Sequence, residues 1–391
     1  MRNYVFFAFL YMDLSFFHKI LNVDSTSGME MELADMLSVE LAAPGRKVET
    51  FEVGDGTKNI LVSWGCPKVV FCTHLDTVPP YIPPTFHDDR VEGRGACDAK
   101  GQMFAMYEAC KALESRGYSD FGLLLLAGEE TGSFGAKAFS AMAQATGWNA
   151  EWVIVGEPTD NHMASAAKGT KSFEVTFEGK ACHSGYPENG ESAIMYFNDF
   201  MNALRSIAFP NDPILGTTTW NVGKLLSDNP QNILSGRVSC RVYFRTTFES
   251  DQMVCNIMKN IAGEDAKLRF GRPKVQDGSD IVAKDVAPWQ RAMNVKAFGG
   301  DTPSCFEVLP GFDAKPVAFG SDAPQLTCFQ HKILCGPGSI LVAHRPEEYV
   351  AFTDLETAIA QYVRIYEILS CDTFGAFFDT ARLKNSEKDR N

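Results

Sequence analysis

Three short runs, "KVVFCTHLD" (68–76), "FGLLLLAG" (121–128) and "EWVIVG" (151–156), are apolar at almost every position rather than at alternate ones. A strand that is apolar on both faces has to be buried on both faces, which is the condition of a parallel sheet covered by helices. The sequence between the runs supplies helices. "DAKGQMFAMYEACKALESRG" (98–117) is expected to be capped by Asp98 and closed by Gly117, and "GSFGAKAFSAMAQ" (132–144) to form a second helix. Upstream, "SFFHKILNV" (15–23) reads as a helix and "NILVSW" (59–64) as a strand. "SGMEMELADMLSVEL" (27–41) reads as a helix with Ser27 as N-cap and Glu30 at the capping-box position. Strand and helix alternate, so the expected class is α/β, a mainly parallel sheet with helices on both faces.

The pattern changes near residue 165. "KSFEVTFEG" (171–179) alternates strictly, with Phe173, Val175 and Phe177 on one face, as in a half-exposed antiparallel strand. Helix "ESAIMYFNDFMNALRSI" (191–207), strands "TTWNVGKLL" (218–226) and "GRVSCRVYFRTT" (236–247), helix "DQMVCNIMKNIAG" (251–263) and strand "AKLRFGR" (266–272) follow. The order β-α-β-β-α-β is ferredoxin-like. Residues 166–272 are therefore expected to form an α+β domain inserted into an α/β domain built from 1–165 and 273–391, which ends in the helix "FTDLETAIAQYVRIYEIL" (352–369). A chain of 391 residues suits two such cores.

The formal net charge of −13 disfavours nucleic acid or an anionic membrane as the main partner. The 11 cysteines are odd in number, scattered and without a C-x-x-C pair, so reduced thiols and a cytoplasmic location are expected. "YVFFAFLYM" (4–12) is too short to span a bilayer, which takes about 20 residues, and no small-residue cleavage site follows it.

In an open parallel sheet, ligands lie beyond the carboxyl ends of the strands. Here those ends carry His74 and Asp76, then Glu129 and Glu130, then Glu157, and the turn "EGRGACD" (92–98) delivers Asp98 to a helix start. Each residue alone has an ordinary explanation: a core histidine, a solvated acidic pair, a helix cap. Gathered on one edge, five carboxylates would repel one another. Nearby, only Arg94 and Lys100 are cationic, so divalent metal ions are the expected counter-charge. Imidazole with carboxylates and no cysteine suits zinc, with cobalt or manganese as substitutes. One histidine and three carboxylates exceed what one open catalytic zinc needs. His344 in "GPGSILVAHRPEEY" (336–349) offers the second imidazole of a two-metal site, with Asp98 as bridge, Glu130 and Glu157 as further ligands, and Glu129 as general base. Asp76 is expected to accept the other ring N–H of His74 and so set its tautomer.

"HLDTVPP", "GRGACDAKG", "GEETGSFGAK", "VGEPT", "GKACHSGYPENGESAI" and "GPGSILVAHRPEEY" occur in that order between about residues 74 and 349. Together they resemble the acetylornithine deacetylase, succinyl-diaminopimelate desuccinylase and aminoacylase family of two-zinc amidohydrolases. The "SDAPQL" (321–326) and "ILCGPGSILVAHRPEEYV" stretches look most like the acetylornithine deacetylase branch. The resemblance implies the same ligands, namely His74, Asp98 bridging, Glu130, Glu157 and His344, and the same base, Glu129. It further implies that His183 stabilises the oxyanion, that Asn232 and Arg245 hold the substrate, that Ser321 and Asp322 read its end, and that the inserted domain acts as lid and homodimer contact. Thr73 stands where a glycine is common, Leu234 and Ser235 replace a frequent Ile-Pro, and the loop from Asp76 to Asp98 is short. These departures touch substrate identity rather than reaction type.

The expected activity is metal-dependent hydrolysis of the amide of a small N-acyl amino acid. N-acetylornithine or an N-acyl-citrulline of arginine biosynthesis comes first. Succinyl-diaminopimelate desuccinylation, a dipeptidase and a carboxypeptidase are the alternatives, and a non-enzymatic relative that keeps only the fold is the rival class.

Overall fold

The computed structural model describes residues 12–54, 56–262 and 287–371. The chain forms two compact units: Met1–Ser165 with Phe306–Lys315 and Ser321–Asn391, and Ala166–Cys305 with Pro316–Gly320.

The first unit is built on a six-stranded sheet in the order Lys47–Gly54, Thr57–Gly65, Asp120–Leu126, Val69–His74, Ala150–Val155, Phe329–Leu334. The last four strands run parallel; the first two form a hairpin whose second strand, Thr57–Gly65, pairs antiparallel with Asp120–Leu126. Every residue of Val69–His74 is buried, as the continuous apolar run requires. Phe71, Leu123, Leu125, Ile154 and Ile333 share one core with Phe17, Leu33, Leu37, Phe104, Leu355 and Tyr362 from the helices Ser15–Leu21, Met31–Glu40, Lys100–Ser115 and Phe352–Leu369. The alternate residues Val70, Cys72, Leu124, Leu126 and Val153 point to the other face and are buried as well. There Asn59, next to core residue Ile60, bonds Gly135 O at 2.8 Å and so fixes the helix Phe134–Thr146. The α/β class with helices on both faces is thus found. Strands Lys47–Gly54 and Phe329–Leu334 were not legible in the sequence: the first is an exposed edge with charges along it, and the second is interrupted by Gln330 and Lys332.

Two cap assignments change. The second helix begins at Met31 rather than at a Ser27 cap, and no side-chain cap bond closes it. Helix Lys100–Ser115 has Ala99, not Asp98, at its cap position. Its end is as expected: Gly117 has φ +83° and donates to Glu114 O at 2.9 Å, while Tyr118 N reaches back to Leu113 O.

The second unit carries an antiparallel sheet in the order Thr219–Leu226, Arg237–Thr246, Gly169–Glu178, Met293–Gly299. Phe173, Val175 and Phe177 point into a core with Phe200, Leu204, Val242, Phe244 and Val254, the last from the helix Asp251–Ala262. This is the ferredoxin-like order, but its fourth strand is Met293–Gly299. The "AKLRFGR" reading lies outside the described residues, as does the proposed boundary at 273 and the stretch 4–11. The first unit resumes at Phe306. The shift has a plain cause: Val295 pairs with Val175, and the buried Met293 with Phe177, which attaches this segment to the small sheet. No helix among the described residues is long and apolar enough to cross a membrane.

Phe71→Ala removes a wholly buried ring from the middle of the large sheet and should destabilise the first unit by about 3–5 kcal/mol. Val39→Ala, at a side chain 78% exposed, should stay within about 0.5 kcal/mol. Urea unfolding of the two variants against the parent checks both values.

Candidate metal centre

The parallel strands end along one edge of the sheet, and the loops that leave them carry the chemistry. His74 is the last residue of its strand and is buried. Its Nδ1 lies 2.8 Å from the main-chain oxygen of Asp76, which sets the proton on Nδ1 and leaves the Nε2 lone pair open. Nε2 faces Asp98 Oδ1 at 3.1 Å. The other oxygen, Asp98 Oδ2, is 3.2 Å from His344 Nε2, and His344 Nε2 is 2.8 Å from Glu130 Oε1. Asp98 therefore stands between two imidazoles with one oxygen toward each. Donor atoms of His74, Asp98 and Glu157 lie within 4.8 Å of one another, and so do those of Asp98, Glu130 and His344. The two triplets share Asp98 and contain all five residues expected to bind metal. A third set joins His74 to Glu129 and Glu130.

Asp76 does something other than expected. Its carboxylate is 3.4 Å from His74 Nδ1, farther than its own main-chain carbonyl. The carboxylate instead accepts the N–H groups of Glu129 (2.9 Å) and Glu130 (3.1 Å) and the hydroxyl of Ser27 (2.8 Å). One residue thus holds the imidazole with its backbone and the glutamate turn with its side chain. Ser27, misread as a helix cap, is part of this support. Thr73, one of the departures from the family pattern, ties its strand to the neighbouring one by donating to Gly156 O at 3.1 Å.

The electrostatics follow from burial. Desolvation, reinforced by neighbouring acids, pushes the carboxyls of Glu129 and Glu157 well above the usual range and that of Glu130 above it. Burial also works to raise Asp98, yet hydrogen bonds from His344 and His74 hold it below the ordinary carboxylate value. His344 is pushed up to about 10 by its bonds to Asp98 and Glu130. Burial opposes the charge on His74, but Asp76 and Asp98 outweigh it and raise that imidazole too. Neither nearby cation reaches the acids: Arg94 pairs with Glu348, and Lys100 Nζ donates to Val23 O at 2.7 Å. Among the described residues no lysine or arginine forms an ion pair with Asp98, Glu129, Glu130 or Glu157. The imidazoles of His74 and His344 face these acids and are raised by them. A divalent cation would supply the counter-charge with the imidazoles neutral, and nitrogen and oxygen donors without sulfur fit zinc, cobalt or manganese.

Three further buried acids lie near the centre, of which Glu348 had no role in the sequence reading, Glu30 was expected in a helix cap and Asp322 at the substrate. Glu348 is fully buried while Glu347 beside it is exposed, and no periodicity in "HRPEEY" separates them. Glu30 is buried near Asp76, whose charge helps raise it after burial does. Asp322, expected to read substrate, is 2% exposed and adds to the charge that raises Glu129 and Glu157; Ser321 is 3% exposed.

In the second unit, His183 and Asn232 are exposed on loops that pair with each other: His183 bridges Ile233, and Ser184 N donates to Asn232 O at 2.9 Å. Gly185 N donates to His183 Nδ1 at 3.1 Å. Arg245 lies on the same strand as Arg237 and Arg241, which approach Glu178 and Glu174 at 3.4 Å each. Arg245 has no such carboxylate among the described residues; its guanidinium sits 5.0 Å over the Tyr243 ring.

The model of Peptidase family M20/M25/M40 matches residues 70–368. A peptidase M20 domain-containing protein of Schizosaccharomyces pombe is 32% identical over 90% of this chain and 83% of its own length. A probable carboxypeptidase of Aspergillus flavus is 28% identical over 90% of this chain and 86% of its own. The crystal structure of an M20 family metallo-carboxypeptidase from Sulfolobus solfataricus superposes with a TM-score of 0.66 at 17% identity, covering 90% of this chain and 98% of that one. These relatives are named for peptidase and carboxypeptidase activity, not for the acetylornithine deacetylase branch that "SDAPQL" suggested. With the matched residues spanning most of its length, the chain belongs to Peptidase family M20/M25/M40.

Proposed function

We propose that this protein hydrolyses the amide bond of an N-acyl amino acid with a free α-carboxylate, the C-terminal residue of a short peptide included. The observation that carries this reading is the pair of donor triplets sharing Asp98, with Glu129 beside them. Two divalent ions held by His74, Asp98 and Glu157 and by Asp98, Glu130 and His344 would polarise the scissile carbonyl and acidify the attacking water. Glu129 takes the proton of that water as its oxygen adds to the carbonyl carbon. When the carbon–nitrogen bond breaks, Glu129 returns the proton to the leaving amine. Its raised proton affinity, caused by burial and neighbouring acids, suits both transfers. Asp76 keeps Glu129 and Glu130 turned in their separate directions through their main-chain N–H groups. His183 is assigned to the carbonyl oxygen as negative charge develops there, and Asn232 to the substrate. Arg245, a planar fork without a carboxylate of its own, is assigned to the α-carboxylate. A homodimer through the second unit and a cytoplasmic setting belong to the same reading.

The resemblance of "SDAPQL" and its neighbours favours N-acetylornithine or an N-acyl-citrulline as the acyl amino acid, while the names of the matched relatives favour a peptide. A panel of N-acyl amino acids, succinyl-diaminopimelate and dipeptides, followed by amine release with zinc, cobalt and manganese in turn, separates these. No release from any member would sink the proposal and favour a non-enzymatic relative.

Glu129→Ala should lower kcat by roughly 10²–10⁴-fold while bound metal and thermal midpoint stay as in the parent. Arg245→Ala should raise KM for substrates with a free carboxylate and leave their amidated counterparts unaffected; equal effects on both would remove its assignment. Chelation should abolish activity and lower the thermal midpoint, by roughly 5–10 °C if the free ion had exceeded its Kd about a hundredfold, and added zinc should restore both.

A further inference from the structure

The carboxylate of Glu348 is 0% exposed and fully engaged. Its Oε1 accepts three main-chain N–H groups, from Gly95 (2.9 Å), Cys97 (3.1 Å) and Asp98 (3.1 Å). Its Oε2 takes the guanidinium of Arg94, which is 2% exposed. The main-chain oxygen of Glu348 accepts Gly93 N at 2.9 Å. Arg94 in turn donates to the carbonyls of Pro80 and Arg345, both at 3.3 Å. One ion pair therefore ties together the loop that leaves strand Val69–His74, the turn that carries Asp98 and the loop that carries His344. The His344 backbone has φ +65°, uncommon for a residue other than glycine, so its loop needs support from outside itself.

We propose that Arg94 and Glu348 form a buried clasp that presets Asp98 and His344 for the metal pair, so that the shared carboxylate stands in place before any ion arrives. Both are positioning residues: they grip the backbone of the ligand-bearing turns and touch neither ion nor substrate. The inference rests on the metal-centre reading above. Three convergent N–H groups around one oxygen make a site for a negative charge, and the guanidinium completes it. A glutamine at 348 cannot replace it. In one orientation its NH₂ meets the Arg94 donors, and in the other it meets the three N–H groups. An aspartate keeps the charge but falls one methylene short.

The test uses the full chain stripped of metal, with Glu348→Gln and Glu348→Asp beside the parent. Zinc affinity is measured by competition with a chromophoric chelator, and site geometry by the visible absorption of bound cobalt. The expected result is a 10–100-fold loss of affinity for at least one ion in Glu348→Gln with an altered cobalt spectrum, and an intermediate loss in Glu348→Asp. Folded variants with parental affinities and spectra would overturn the clasp. A second measurement needs no variant. In the metal-free parent, the amides of Gly95, Cys97 and Asp98 should already resist hydrogen exchange; fast exchange that slows only when zinc is added would overturn the preset arrangement. A parent that binds no zinc would refute the metal-centre reading, and the exchange result would still judge the clasp.

Discussion

A carboxylate buried between two imidazoles, with more carboxylates behind it, cannot stand unless positive charge accompanies it. Asp98 is in that position, one oxygen toward His74 and the other toward His344. The acids beside them raise both imidazoles. The same crowding makes Glu129 and Glu157 strong proton acceptors. The support around this centre holds its donors in place. Asp76, Ser27, Glu348 and Arg94 direct their hydrogen bonds at one another or at the loops that bear the donors.

The fold explains why the donors come from distant parts of the chain. Parallel strands finish on the same edge of a sheet, so each contributes the first residues of its loop to one place. His74, the Glu129–Glu130 pair and Glu157 are delivered in this way by three adjacent strands. Asp98 arrives from the turn before a helix and His344 from the turn-rich segment before the last helix. The second unit has a different character. Its ferredoxin-like sheet buries one face against two helices and leaves a polar row of arginines on the other, where Arg237 and Arg241 have acidic neighbours and Arg245 stacks on Tyr243.

Much of this was legible because it is periodic. Continuous apolar runs specify strands buried on both sides, strict alternation marks Phe173, Val175 and Phe177 as one face, and residues that end such runs must lie at a sheet edge. His74, Glu130 and Glu157 could be named on that ground, whereas Asp98 and His344 sit in turns that no period marks. Periodicity fails where side-chain direction is set by contacts outside the segment. Asp98 has the composition of a helix cap, yet its carboxylate turns to the imidazoles and its N–H to Glu348. Ser27 looks like a cap and supports Asp76 instead. The strand that completes the small sheet is Met293–Gly299, chosen by its pairing with Gly169–Glu178 rather than by a strong pattern of its own.

The amino-acid sequence alone settled the α/β plan and which acids and histidine follow the parallel strands, since both are written in local spacing. Tertiary structure alone decided which oxygen of Asp98 meets which histidine, that Asp76 grips the glutamate turn more than the imidazole, and that Glu348 rather than Glu347 is buried. Those choices rest on hydrogen bonds between groups as far apart in the chain as Asp98 and Glu348, 250 positions, and their directions exist only once the folded backbone has fixed where each donor points.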